Sequence, residues 1–174
     1  MAEENQTPDA GAAAGNQQSN EAQMAVEHVF LKDTSFEALS PQEIDNSAGQ
    51  PDISMNLAQR FNQINETRWE VILTVTITAK QNEKTAFVCE VQYSGIFSFG
   101  GFTEQQMPYV INVVCPNVLF PYCRSQVAAL VSAGGFYMPP MQAINFEAIF
   151  RQRMAEAQAQ AEAGQGGTST DGVQ

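Results

Sequence analysis

QQMPYVINVVCPNVLFPYCRSQVAALVSAGGFYMPPMQAINF, residues 105–146, holds one charged side chain, Arg124, in a chain of 174 residues that carries 19 acidic and 8 basic ones. A stretch so poor in charge has to be hidden from water. It does not read as a membrane span, because Gln105, Gln106, Asn112, Asn117, Ser125, Gln126 and Ser132 interrupt it and Pro116 and Pro121 lie inside it. It reads instead as helix buried against protein. Thr103 with Gln106 three residues on is a capping-box pattern, and the helix it opens should run only until Pro116 interferes with its backbone. Pro116 then starts a second helix through Leu119, Tyr122, Cys123, Val127 and Leu130, which Gly134 and Gly135 end. Pro121 falls in the first turn or two of that helix, where a kink is the expected consequence. One small sheet can hardly cover this much apolar helix, so the segment predicts a subunit interface.

Upstream the periodicity changes to two. Trp69, Val71, Leu73, Val75 and Ile77 alternate with Glu70, Ile72, Thr74, Thr76 and Thr78, the clearest strand signal in the chain. After the polar turn Gln81 to Lys84, Phe87, Cys89, Val91 and Tyr93 alternate with Val88, Glu90, Gln92 and Ser94. Before them, Ile53, Met55, Leu57 and Phe61 alternate with Ser54, Asn56, Ala58 and Arg60, with Gln59 out of place on the apolar side. Val26 to Glu37 forms a first strand, with Phe30 and Phe36 on one side and Val29 and Leu31 on the other. Short connections make at least the second to fourth strands an antiparallel meander with one packed and one wetter face. Downstream, Pro139 and Pro140 force an extended linker, and Asn145 caps a last helix carrying Phe146, Ile149 and Phe150, whose Ala, Gln and Glu rich far end should fray. The fold class is α+β, a four-stranded antiparallel sheet with a long, kinked or broken helix and a C-terminal helix on one face.

The ends differ from this body. Residues 1–23 contain no aromatic and residues 164–174 are rich in Gly, Ser and Thr, so both read as disordered tails around a domain at 24–163. The start lacks the basic-then-apolar pattern of a secretion signal and no long apolar run exists, which predicts a cytoplasmic protein without membrane insertion. Cys89, Cys115 and Cys123 are an odd count, consistent with reduced thiols serving as small core residues. The formal net charge is −11, and residues 1–59 hold ten acids against one base, Lys32. That sign repels nucleic acid and suits a basic or metal-bearing protein partner, although acids that merely confer solubility would look the same.

Catalytic chemistry is not legible. The one histidine, His28, sits inside a strand with no ligand cluster around it, and Cys115 and Cys123 are too far apart for a C-x-x-C pair. Gly95, Gly100 and Gly101 in GIFSFGGF lack the Lys-Ser or Lys-Thr of a phosphate loop and more simply end a strand. No nucleophile elbow and no acid/base pair of carboxylates stands out, so the reading is a non-enzyme with no metal and no cofactor. What remains is eleven phenylalanines and seven methionines, ordinarily core filler, but in this number also the adaptable apolar surface that a promiscuous peptide binder needs.

Four segments carry a resemblance: Phe30-Leu-Lys-Asp-Thr-Ser-Phe-Glu37, Thr85-Ala-Phe-Val-Cys-Glu-Val-Gln92 with Gly95-Ile-Phe97, Cys115-Pro-Asn-Val-Leu-Phe-Pro-Tyr122, and Ile144-Asn-Phe-Glu-Ala-Ile-Phe150. In content, order and spacing the chain from about Val26 to Phe150 resembles the SecB family of bacterial protein-export chaperones. The resemblance implies a homotetramer, a dimer of dimers with helices between the dimers. It also implies an ATP-independent role: holding unfolded precursor proteins ready for translocation and delivering them to the SecA motor at the inner membrane. By the same resemblance Asp33, Glu37, Val88 and Glu90 are the SecA-binding residues, and Asp33 and Glu37, four apart, share a strand face with Ser35. Cys89, Val91, Tyr93, Leu119 and Tyr122 fall at subunit-interface positions. Phe36, Ile53, Met55, Leu57, Phe146 and Phe150 match the substrate groove. The chain departs from relatives in having no aromatic from Ala38 to Gln50 and in carrying Tyr93 where a smaller polar residue is frequent. A dedicated chaperone of one partner on the same fold, such as a toxin–antitoxin controller, and a small-ligand carrier are the alternatives.

Overall fold

Strands β3 (Arg68–Gln81) and β4 (Lys84–Gly100) form the centre of a four-stranded antiparallel sheet of order β1-β4-β3-β2, with β1 (Gln23–Ala38) and β2 (Asp52–Gln63) at its edges. The computed structural model describes residues 21–38, 51–82 and 84–165. Of the expected tails, residues 1–20 and 166–174 lie outside the described residues, as does the aromatic-free stretch at 39–50. In register, Trp69, Val71, Leu73, Val75 and Ile77 stand opposite Phe97, Gly95, Tyr93, Val91 and Cys89, and across the next seam opposite Gln63, Phe61, Gln59, Leu57 and Met55. The alternation thus collects one apolar face, and a slip of one residue would turn all of it to water.

Strand β1 departs from simple alternation. Its register against β4 shifts between Val26 and His28 and between Leu31 and Asp33, leaving Glu27 and Lys32 as the extra residues of two bulges. Each bulge inverts the parity of the residues after it. Val26, Val29, Leu31 and Phe36 therefore share the apolar face, and Phe30 stands on the opposite one beside Ser94. This corrects the expectation that Phe30 and Phe36 point together, away from Val29 and Leu31.

The charge-poor segment forms one continuous helical rod, α1, made of Met107–Tyr109, a π-helical turn Val110–Val114, and Cys115–Ala133. The expected break at Pro116 is absent because the helix widens just before it. The Cys115 N–H reaches back five residues to the Val110 carbonyl, so the ring of Pro116 is fitted without ending the helix. At the start, the Gln106 Oε1 accepts the Thr103 N–H at 2.9 Å, half of the capping box read from the sequence. Gly134 ends the rod, its N–H bonding the Leu130 carbonyl.

Rod α1 lies on the apolar face over β4 and β3. Leu119, Cys123, Val127 and Val131 from the rod are wholly buried with Val71, Val75, Ile77, Cys89, Val91 and Phe97 from the sheet. Each such side chain contributes about 1.5–3 kcal/mol. Gly95 does not end β4 as expected. It pairs with Val29 and Val71 in mid-strand, and a Cβ there would lie 2.9 Å from a Leu119 methyl and 2.5 Å from the Phe97 ring, so its bareness lets rod and sheet approach. The strand ends at Gly100, and Gly101 turns the chain away with a φ of 72° that a glycine adopts freely. Helix α2 (Phe146–Gln165) opens as expected on Asn145, whose Oδ1 accepts the Ala148 N–H at 2.9 Å. Among the described residues no helix is long and apolar enough to cross a membrane.

Candidate functional site

The two faces of the sheet are built differently. No described element covers the face opposite α1, and charge decorates it. Lys32 Nζ lies 2.6 Å from Glu70 Oε1, the Ser94 hydroxyl donates to the same oxygen at 2.7 Å, and Asn62 Nδ2 donates to Glu70 Oε2 at 3.2 Å. Together these hold the Glu70 carboxyl below the usual glutamate range, the Lys32 hydrogen bond contributing most. Arg68 holds Glu27 in the same way. Both bulge residues of β1 thus reach across β4 to opposite charges on β3.

At the other end of that face the acids are left without a cation. Glu37 stands opposite Val88, Ser35 opposite Glu90, and Asp33 opposite Gln92, so the four residues assigned to SecA by resemblance lie on two neighbouring strands of one face. Glu90 is held by neutral donors, the Thr76 hydroxyl at 3.1 Å and Gln92 Nε2 at 3.0 Å. The Asp33 carboxylate accepts the Thr34 N–H at 2.8 Å. Among the described residues none of the three acids has an ion-pair partner. A patch of this kind keeps its field for an incoming basic group.

The α1 face carries the apolar candidates. Leu57, Phe146 and Phe150 come together, with Gln59, Leu73 and Ile149, around a seam that leaves only about 10 Å³ free. Phe146 packs edge-on against Phe120 at 5.9 Å and Phe150 against Tyr109 at 6.2 Å. Ile53 and Met55 continue the row along β2, and Met55 is 40 % exposed. Phe36 does not join them. It shares a cross-strand row with Cys89, Ile77 and Met55, which puts it three strand spacings, about 14 Å, from Met55. There it stacks on Phe87 at 5.7 Å and meets Phe136 at 6.3 Å, so tightly against the end of α1 that a Cβ on Gly134 would fall 2.3 Å from its ring.

Of the residues assigned to the subunit interface, Cys89, Val91 and Leu119 are wholly buried inside the chain and can act on a neighbour only through what they support. Tyr93 and Tyr122 pack with ring centres 5.6 Å apart and planes tilted by 36°, and Tyr122 is 47 % exposed. Leu31, opposite Tyr93 in register, is exposed beside them. Burial pushes the Cys89 and Cys123 thiols up to about 11 and Cys115 to about 12, so all three are neutral and unreactive at physiological pH.

A cleft of about 740 Å³ escaped the sequence reading. Phe61, Trp69, Phe99, Phe102, Met107 and Ile111 line it, with Glu66 and Glu104 among its polar residues. Its aromatics come from β2, β3, β4 and the segment before α1, and only the strand pairing brings them together. The exposure of Phe61 on an edge strand was the one available signal. Among the described residues no group of three or more His, Cys, Asp or Glu could hold a metal ion.

Comparison with known proteins adds to this geometry. Residues 17–157 match the SecB family, described as preprotein translocase subunit SecB. The protein-export protein SecB of Methylococcus capsulatus is 40 % identical over 164 residues, 93 % of this chain and 97 % of that protein. That of Xanthomonas euvesicatoria pv. vesicatoria is 39 % identical over 150 residues, 85 % and 87 % of the two chains. Among solved structures, the SecB-like chaperone of Mycobacterium tuberculosis in complex with a ChAD peptide from the HigA1 antitoxin superposes with a TM-score of 0.57. It is 11 % identical and is matched over 70 % of this chain and 90 % of that one, a likeness of fold alone.

Proposed function

The chain belongs to the SecB family, and from that premise we propose that the two faces of its sheet divide the work of an export chaperone. The protein is a chaperone for protein export. On the α1 side, the cleft around Phe61 and Trp69 and the apolar edge at Ile53 and Met55 take side chains of unfolded precursors. Such contacts are individually weak, and several along one chain act together, so binding needs no ATP and no single tight pocket. A folded client hides those side chains and is passed over. The protein then acts as a holder, not an enzyme, and works in the cytoplasm.

On the bare side, Asp33, Glu37 and Glu90, with Val88 between them, receive the SecA motor. The observation that carries the reading is the coexistence, on opposite faces of one sheet, of acids without an ion-pair partner and apolar surface left uncovered among the described residues. Self-association into a dimer of dimers is supported by the outward side of α1. It carries Pro121, Tyr122, Ala128 and Ala129 exposed, with Arg124 its single charge. Cys89, Val91 and Leu119 set the height of that surface from below. Identity of about 40 % to export chaperones over most of the chain, against 11 % to the antitoxin-binding neighbour, favours export over service to one dedicated partner.

Light scattering with and without a chemically unfolded precursor tests the reading. A tetramer that gains the mass of the precursor is expected, and a monomer that ignores it would overturn the proposal.

A further inference from the structure

Gln59 is the one polar residue in the run Ile53, Met55, Leu57, Gln59, Phe61 on the α1 side of β2. Its Nε2 donates to the Ile111 carbonyl at 2.7 Å. That carbonyl needs an outside donor. Its ordinary helical partner, the Cys115 N–H, is taken by Val110 in the π turn, and the next residue, Pro116, has no N–H to give. Ile111 is only 4 % exposed, so water is a poor substitute.

The position of this bond gives it a consequence for binding. Leu57, on one side of Gln59, belongs to the closed seam under Phe146 and Phe150, whereas Phe61, on the other, belongs to the open cleft of about 740 Å³. Asn112 borders both spaces, and its own amide is engaged with the Pro108 carbonyl at 2.8 Å. The border between open cleft and closed seam is therefore polar on both walls, β2 and α1. We infer that Gln59 is a positioning residue for client binding: by serving the carbonyl that Pro116 orphans, it pins the edge strand to the π turn, ends the open cleft and keeps the seam shut. Client side chains then enter on the Phe61 side and not between Leu57 and Phe150. The inference rests on the client-binding reading above.

Amide hydrogen exchange of the full-length protein tests it, alone and with reduced, carboxyamidomethylated lactalbumin as a permanently unfolded probe. In the unaltered chain the probe should protect the backbone around Phe61, Phe102 and Met107 and leave Leu57 and Phe146–Phe150 unchanged. Gln59→Leu, which keeps the bulk and removes the donor, should raise exchange at Cys115 and in the first turns of α2 about tenfold, as expected for an orphaned buried carbonyl, and extend probe protection to Leu57. Pro116→Ala returns an N–H to the rod, so in its background Gln59→Leu should change exchange by less than about twofold. A Gln59→Leu effect undiminished by Pro116→Ala, or protection of the seam in the unaltered chain, would overturn the inference while leaving client binding intact. No protection anywhere on this face would instead sink the client-binding reading.

Discussion

The two faces of the sheet share every backbone hydrogen bond and differ in what they do with their side chains. On the α1 face, Leu119, Cys123, Val127 and Val131 close over Cys89, Val91, Val75 and Ile77 until nothing remains exposed. On the bare face the charged groups are sorted: Lys32 and Arg68 are paired with Glu70 and Glu27, while among the described residues Asp33, Glu37 and Glu90 have no ion-pair partner. One face is committed to the core, and its sheet leaves apolar area exposed at both edges, Met55 and Phe61 on β2 and Val26 and Leu31 on β1. The other carries the ion pairs and the unpaired acids. The contrast teaches that a single layer of sheet can present two unlike surfaces, because side chains alternate while the ladder that holds them does not.

If the contrast holds, the same kind of truncation should have very unequal effects on the two sides. Leu119→Ala should lower the free energy of unfolding by about 3–4 kcal/mol, since Leu119 is wholly buried and sits where Gly95 lets rod and sheet approach. Val88→Ala, on the bare face, should cost under about 1 kcal/mol. Urea denaturation at fixed subunit concentration measures both, and comparable losses would break the contrast. The buried thiols give a second test of the same face. With Cys89 and Cys123 held up near 11 and Cys115 near 12, the unfolded chain ionises first. Their contribution is therefore complete below the ordinary thiol value of 9.0 and is lost as pH rises above it. A thiol reagent at neutral pH should leave all three unlabelled until the protein unfolds.

The bare face is tested by binding rather than folding. Asp33→Ala with Glu90→Ala should leave the urea midpoint within error and the affinity for an unfolded precursor unchanged, while weakening SecA binding about tenfold or more, increasingly so at low salt. Calorimetry reads the affinity, and an unchanged value would detach those acids from the role assigned to them.

What was legible in the sequence and what was not divides along the range of the signal. The alternation of Trp69 to Thr78 and Phe87 to Ser94, the Asn145 cap and the shared face of Asp33 and Glu37 are local patterns, and the structure has them as read. The sidedness of the rest of β1 was misread because a bulge has no mark of its own. Glu27 and Lys32 are surplus only relative to β4, a strand far along the chain. Gln59 stood out as polar in an apolar row, but the carbonyl that explains it belongs to Ile111, across 52 residues of chain. Pro116 was read by the rule that proline ends a helix, and the rule yielded because the preceding turn could widen and a neighbouring strand could serve the freed carbonyl. The cleft at Phe61, Trp69, Phe99 and Phe102 draws on several elements at once, and no short-range pattern points to it.

The smallest expected effect concerns the paired end of the bare face. Lys32 is well exposed, so its bond to Glu70 is screened by water and should be worth only about 0.2–1 kcal/mol in a double-mutant cycle of Lys32→Met with Glu70→Gln. Because the Glu70 carboxyl is held below its ordinary value, that contribution is complete at neutral pH and disappears as pH falls from the ordinary glutamate range through the lowered folded value. This dependence on acid runs opposite in direction to that of the thiols beneath α1, whose contribution is lost on the alkaline side. Ser94 and Asn62 also donate to Glu70, so Glu70→Gln alone should cost more than Lys32→Met alone: it weakens three hydrogen bonds where the lysine change removes one. Equal costs for the two single changes would mean that the lysine carries the interaction by itself, and the bulge that presents Lys32 would then be a stabilising device of the fold rather than a means of keeping one end of this face neutral.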